Sequence, residues 1–125
     1  MATVLAHTGK AVVTNRIKGS GTEPLYIGWG TGAGTAAASD TSLFTEDATG
    51  GYARVTGTSS RVTTSQTNDT YQVTGTLTAG AALTITNAGT FDASSAGNLF
   101  VKGDFTGIAL ASGDSIAFTV KVQFT

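Results

Sequence analysis

Ser115-Ile116-Ala117-Phe118-Thr119-Val120-Lys121-Val122-Gln123-Phe124 alternates without a break, with apolar side chains at 116, 118, 120, 122 and 124 and small or polar ones between them. Successive side chains of a strand point to opposite faces, so this period of two predicts a half-buried strand with Phe118 and Val120 in the core and Lys121 outside. A slip of one residue would put every apolar group in water, which fixes the register. Ser112-Gly113-Asp114 just before it reads as a turn.

Working back from this strand, the same texture recurs. Residues 99–105, Leu99-Phe100-Val101-Lys102-Gly103-Asp104-Phe105, predict a strand, and residues 92–98 a loop of small residues. Residues 83–91 predict another, reached through an Ala79-Gly80 turn. In residues 71–78, Tyr71, Val73 and Leu77 share one face, while Gln72, Thr74, Thr76 and Thr78 share the other. Thr67-Asn68-Asp69-Thr70 supplies turn chemistry before it. Residues 61–66 predict a polar strand, residues 52–59 another, and Leu25-Tyr26-Ile27-Gly28-Trp29 a third. Residues 30–47 read as a small-residue loop anchored by Leu43 and Phe44. Seven or eight strands at such spacing imply an all-β fold, an antiparallel β-sandwich or jelly roll. Nothing after Pro24 has the alternating helix–strand texture of a parallel α/β fold.

The first 24 residues differ. Val13 and Ile17 are four apart, Thr8 is placed to cap, and Gly19 sits where a glycine ends a helix. These predict a short helix over residues 8–18. A strand over 11–14 is the alternative, since Val and Thr favour it. Residues 19–24 then form a linker ended by the only proline. The expected organisation is one globular unit, with an arm of residues 1–24 joined to a sandwich of residues 25–125.

Composition excludes several kinds of chemistry. At 125 residues the chain fits one domain, which at this size buries roughly 65% of its unfolded surface. Without cysteine it has neither disulfides nor thiolate metal sites. A net charge of −1 gives no electrostatic footprint for nucleic acid or an anionic membrane. The longest charge-free run, residues 70–91, is broken throughout by Thr and Gly and is no spanning helix. The start lacks a basic region before its apolar residues, so it is not read as a signal peptide, and Asn68-Asp69-Thr70 is read as a turn and not a glycosylation site. Charged residues make up 12% of the chain, about half the usual share, and Thr, Ser and Asn supply the polarity. A surface so weakly charged does little to keep chains apart, which points to coverage by other subunits.

The candidate chemistry is thin. Gly28-Trp29-Gly30-Thr31-Gly32-Ala33-Gly34 has the spacing of a phosphate-binding loop, but no helix follows and no Lys-Ser/Thr pair completes it. It is read as a flexible surface loop. His7, the only histidine, lies too near the start to be held as a catalytic base. Asp40, Glu46 and Asp47 cluster near one loop and Asp104 and Asp114 near later turns, without the spacing of a calcium loop. They are read as turn acids. No enzyme activity, metal or cofactor is expected. Trp29 and Tyr26 are either core anchors or parts of a contact patch, because both residue types are enriched in interface hot spots.

Ala11-Val12-Val13-Thr14-Asn15-Arg16-Ile17-Lys18-Gly19, Pro24-Leu25-Tyr26-Ile27-Gly28-Trp29-Gly30-Thr31-Gly32 and Asn68-Asp69-Thr70-Tyr71-Gln72-Val73, together with residues 98–105 and 113–118, resemble small virion proteins of tailed phages. The chain is similar over nearly its whole length to the jelly-roll cement, or capsid decoration, proteins of podophages such as the Bordetella phage. That resemblance implies a sandwich on the capsid exterior that joins neighbouring major capsid subunits and self-associates, as a homodimer before a trimer; the alternative is a tail-fibre, neck-fibre or receptor- or glycan-binding component of a phage particle. It assigns no functional residue. Val4, Leu5, Arg16, Lys18, Tyr26, Trp29 and Thr31 are the candidate contact residues, drawn from the N-terminal segment and the Gly-rich loop. Nucleic acid and membrane are not expected partners.

Overall fold

The computed structural model describes residues 1–48 and 54–125. Its elements are β1 (Thr3–Leu5), α1 (His7–Lys18), β2 (Tyr26–Gly30), β3 (Val55–Thr56), β4 (Thr58–Val62), β5 (Thr70–Thr78), β6 (Leu83–Phe91), β7 (Leu99–Leu110) and β8 (Ser115–Gln123). Two antiparallel sheets form a sandwich, one ordered β1-β7-β6-β2-β3 and the other β4-β5-β8. The all-β sandwich expectation holds.

Between the sheets lies the main core, in which Ile27 and Trp29 of β2 meet Val73 and Leu77 of β5 and Ile85 and Ala88 of β6. Trp29 is 1% exposed. It stands opposite Ala88, which stands opposite Gly103, so the indole lies over two small residues. Phe118 of β8 meets it edge to face at 6.4 Å, a favoured ring geometry. The other face of the large sheet is buried too. Leu43, Phe91, Leu99 and Ala6 form a second cluster there, with Tyr26 against it.

Residues 30–47 are what covers that second face, which corrects the flexible-loop expectation. Thr31 N–H donates to the Thr45 carbonyl at 3.0 Å and Gly32 N–H to the Phe44 carbonyl at 2.9 Å, while Gly30 bridges to Glu46. The segment folds back and lies flat on its own strand. Alternation explains the glycines: Trp29 points into the sandwich, and Gly28 and Gly30 on either side point at the returning chain. A Cβ at Gly30 would collide with the Phe44 carbonyl, and one at Gly28 would come within 2.9 Å of the Glu46 carboxylate. The spacing that suggested a phosphate loop is therefore a packing device.

Two ion pairs hold this cover down. Lys102 on β7 is 2% exposed, and its Nζ donates to Asp40 Oδ2 and to the Ser42 carbonyl, both at 2.9 Å, above the Phe44 ring. Arg54 donates to both Glu46 oxygens, at 2.8 and 3.0 Å, and to the Ala93 and Ala96 carbonyls, stacked on Phe91.

The N-terminal segment is stitched to the sandwich. β1, which carries too few residues to show a pattern, pairs with β7, Thr3 opposite Gly103. The helix forms as expected and ends at Gly19 in the left-handed conformation, its N–H bonded to the Arg16 carbonyl at 3.0 Å. Thr8 is not its cap. Ala6 holds that place, and the Thr8 hydroxyl donates to the Leu99 carbonyl at 2.7 Å, tying α1 to β7.

Three strand expectations need correction. Tyr52 and Ala53 lie outside the described residues, and the rest of the 52–59 strand is split at Gly57. Val55–Thr56 pairs in the large sheet and Thr58–Val62 in the small one, so the chain changes sheets at that glycine. Residues 64–66, expected in a strand, form a turn instead, because their N–H groups all donate to the Asp69 carboxylate at 2.8 to 3.0 Å. β7 runs five residues beyond its expected end at 105.

Gly57 gives one prediction. Its N–H donates to the Leu25 carbonyl at 2.7 Å, and a Cβ there would strike Val73 Cγ1, itself in the core. Gly57→Ala should lose about 1–3 kcal/mol by overpacking, measured by chemical denaturation. Wild-type stability in that variant would show that the corner has room to give.

Candidate functional site

Two apolar depressions flank the sandwich. The first is a cleft of about 370 Å³ between the sheets, at the side where β1 and β8 are the respective edges. Phe118, Val120 and Val122 of β8 face Leu5, Val101 and Phe105 across it. The alternation of β8 is as expected, with exposed Ala117, Thr119, Lys121 and Gln123 on the outside. The inner residues are only half-buried, which corrects the expectation of Phe118 and Val120 as enclosed core. The cause is topological: β8 edges a three-stranded sheet, and among the described residues no further strand closes the cleft beside it.

The second depression, about 560 Å³, lies between α1 and the end of the sandwich. Val12, Val13, Pro24, Tyr71 and Phe100 form its floor, and Ile17 and Phe124 rise at its rim. Ile17 is 82% exposed and Phe124 52%, and the two lie on one depression. Tyr71 meets Phe100 edge to face at 6.1 Å and donates its hydroxyl to Glu23 at 3.1 Å. Burial, and then the Glu23 carboxylate, push the Tyr71 phenol well above its ordinary pKa, so the phenol keeps its proton.

The candidate contact residues do not form one surface. Val4 and Leu5 line the first cleft and Arg16 the second. Arg16 also donates to the Gly21 carbonyl at 3.0 Å. Lys18 is exposed in the last turn of α1. Tyr26 packs half-buried on the second cluster, and Trp29 is core, with no surface to offer a partner. Thr31 is half-buried and held by its backbone to Thr45. Ile17 and Phe124 were missed. Their signal was an apolar residue where α1 or β8 runs out, which pattern alone reads as core.

The acids have structural work. Asp40 and Glu46 are the partners of Lys102 and Arg54. Asp104 accepts from the Ala2 and Ala36 amides at 3.1 and 2.7 Å, and Asp114 from the Ala111 amide at 2.8 Å. These hydrogen bonds, Ala36 first, hold the Asp104 carboxyl below the usual range. His7 is exposed at the first position of α1, its N–H bonded to the Ala38 carbonyl at 2.8 Å. Among the described residues, no helix is long and apolar enough to cross a membrane.

The family described as Podophage GP4 fiber I protein gp80 matches residues 6–123. The chain belongs to this family. It is thus a structural protein of a phage virion, and the family's description speaks of a fibre where the resemblance implied capsid decoration. Searches of curated proteins and of solved structures each returned no match.

Proposed function

We propose that the protein is a fibre-related subunit of a podophage particle, working by binding other virion subunits and not by catalysis. The family match over residues 6–123 carries this reading. The surface supports it: low charge, and two apolar depressions rimmed by Ile17 and Phe124 or by the β8 edge. Attachment through such contacts needs about 800 Å² per partner, and repetition on a symmetric particle multiplies modest affinities.

A second reading, a cement protein binding the major capsid protein on the capsid exterior, is favoured by the compactness of the fold. Both faces of the large sheet are covered by the chain itself, and the described residues form a block and not a shaft.

Particles lacking the protein separate the two. As a fibre component, its loss should leave heads that withstand heat and osmotic shock like wild type but adsorb poorly to cells. Imaging of a labelled virion should place it on the tail. Heads that burst early while adsorbing normally, with label over the capsid, would instead establish the cement reading.

A further inference from the structure

The longest open sheet edge among the described residues is β8. It pairs only with β5, and that ladder runs unbroken through nine residue pairs, from Thr70 opposite Gln123 to Thr78 opposite Ser115. The other end strands, β1, β3 and β4, have three, two and five residues, and β7 runs six residues, 105–110, past its pairing with β1. Exposed edges are normally blunted by proline, a bulge or several charges. β8 has no proline, no register shift and a single charge, Lys121.

We propose that this edge pairs antiparallel with β8 of a second copy, about a two-fold axis at Thr119. The sequence of the strand selects that partner. With Thr119 opposite itself, Ile116 meets Val122, Phe118 meets Val120, Ala117 meets Lys121 and Ser115 meets Gln123. Every apolar residue of the inner face finds an apolar one, and every outer residue a small or polar one. A two-fold axis between residues would instead set apolar against polar throughout. The two Lys121 ammoniums end up about 14 Å apart, four residues along the strand, beyond the screening length of about 8 Å.

The magnitudes suit a dimer. Nine antiparallel pairs form about eight to ten main-chain hydrogen bonds, close to the ten or so of a typical interface. The added strand also covers Phe118, Val120 and Val122, which the single chain leaves half-buried beside the open cleft. The two small sheets become one of six strands, and each cleft loses its open side. A net charge of −1 opposes this association little.

The register makes the test specific. Ala117 is exposed on the outer face, so Ala117→Lys and Ala117→Glu leave the monomer fold alone but put a like or an opposite charge against the partner's Lys121. Sedimentation equilibrium should show a monomer–dimer mixture. The dissociation constants of the two variants should differ on the order of tenfold, tighter for Glu, since two symmetry-related pairs change together. The chain has no cysteine, so Thr119→Cys should form a disulfide-linked dimer on mild oxidation, whereas Ser60→Cys, central on the opposite edge strand β4, should not. A monomer at every concentration, equal affinities for the two 117 variants, or faster crosslinking at Ser60→Cys would each overturn the proposal. None of these outcomes depends on where the protein sits on the particle.

Discussion

Trp29→Ala is expected to lose about 3–5 kcal/mol of folding stability, a large part of the 5–15 kcal/mol that a domain commonly has. The indole is 1% exposed and sits where β2, β6 and β8 converge, over Ala88 and Gly103 and against the edge of Phe118. Those neighbours are small or held by sheet hydrogen bonds, so the cavity cannot collapse. Phe118→Ala should cost visibly less, because that ring is half-buried beside a cleft already open to solvent. Lys121→Ala should stay within about 0.5 kcal/mol. Denaturant midpoints for the three variants would rank them. Equal losses for Trp29→Ala and Phe118→Ala would show that the main core extends under β8.

The second large effect is expected at Asp40, from which Asp40→Ala should remove about 3 kcal/mol near neutral pH. Lys102 is 1% exposed at its side chain and Asp40 22%, so deleting the acid strands a charge that cannot reach water. The expected loss sits at the low end for a broken buried pair because the Ser42 carbonyl and the Phe44 ring still face the ammonium. Lys102→Met should cost less, about 1–2 kcal/mol, since the abandoned carboxylate is partly hydrated and keeps the Ala37 N–H at 3.0 Å. The pH dependence has a definite sign. The Ala37 amide first and Lys102 second hold the Asp40 carboxyl below its ordinary pKa. Its contribution is therefore complete above the usual carboxylate range and is lost as pH falls below about 4. The gap between wild type and Asp40→Ala should close in acid. A gap unchanged down to pH 2 would mean that the pair adds nothing through charge.

Local periodicity made β8 legible, because five apolar residues repeated one choice of face, whereas β6 was found although a register shift between Ile85 and Asn87 breaks its alternation. The helix was legible from Val13, Ile17 and Gly19. Residues 63–66 were misplaced in a strand because the Asp69 carboxylate takes over the amides of residues 64–66, and the bounds of β4 were missed because Ser59 and Ser60 carry no pattern. Buried Lys102 reads as an outward polar residue, since the partner that justifies its burial lies 62 positions away. The Gly-Trp-Gly stretch carried its explanation in its own alternation, yet what the glycines face is a segment more than ten residues on. The contact candidates were scattered for the same reason. Residues that meet at a surface depression come from α1, the segment after it, β5, β7 and the residue just past β8, and spacing along the chain says nothing about that meeting.

The pairing of β1 with β7 also decides when the protein can exist. Ala2 bonds to Asp104, 102 positions later, α1 is tied to Leu99, and β5 gains its second neighbour only in residues 115–123. Until residues 99–110 and 115–123 have left the ribosome, the apolar strands 71–91 lack the strand that neighbours β6 in the large sheet and the one that flanks β5. At about 5–20 residues per second the missing segment takes a few seconds to make, and such distant pairings then close in about milliseconds to seconds. Folding is therefore a late, all-at-once event, and during those seconds the nascent chain is at its most vulnerable to aggregation and to the host's proteases.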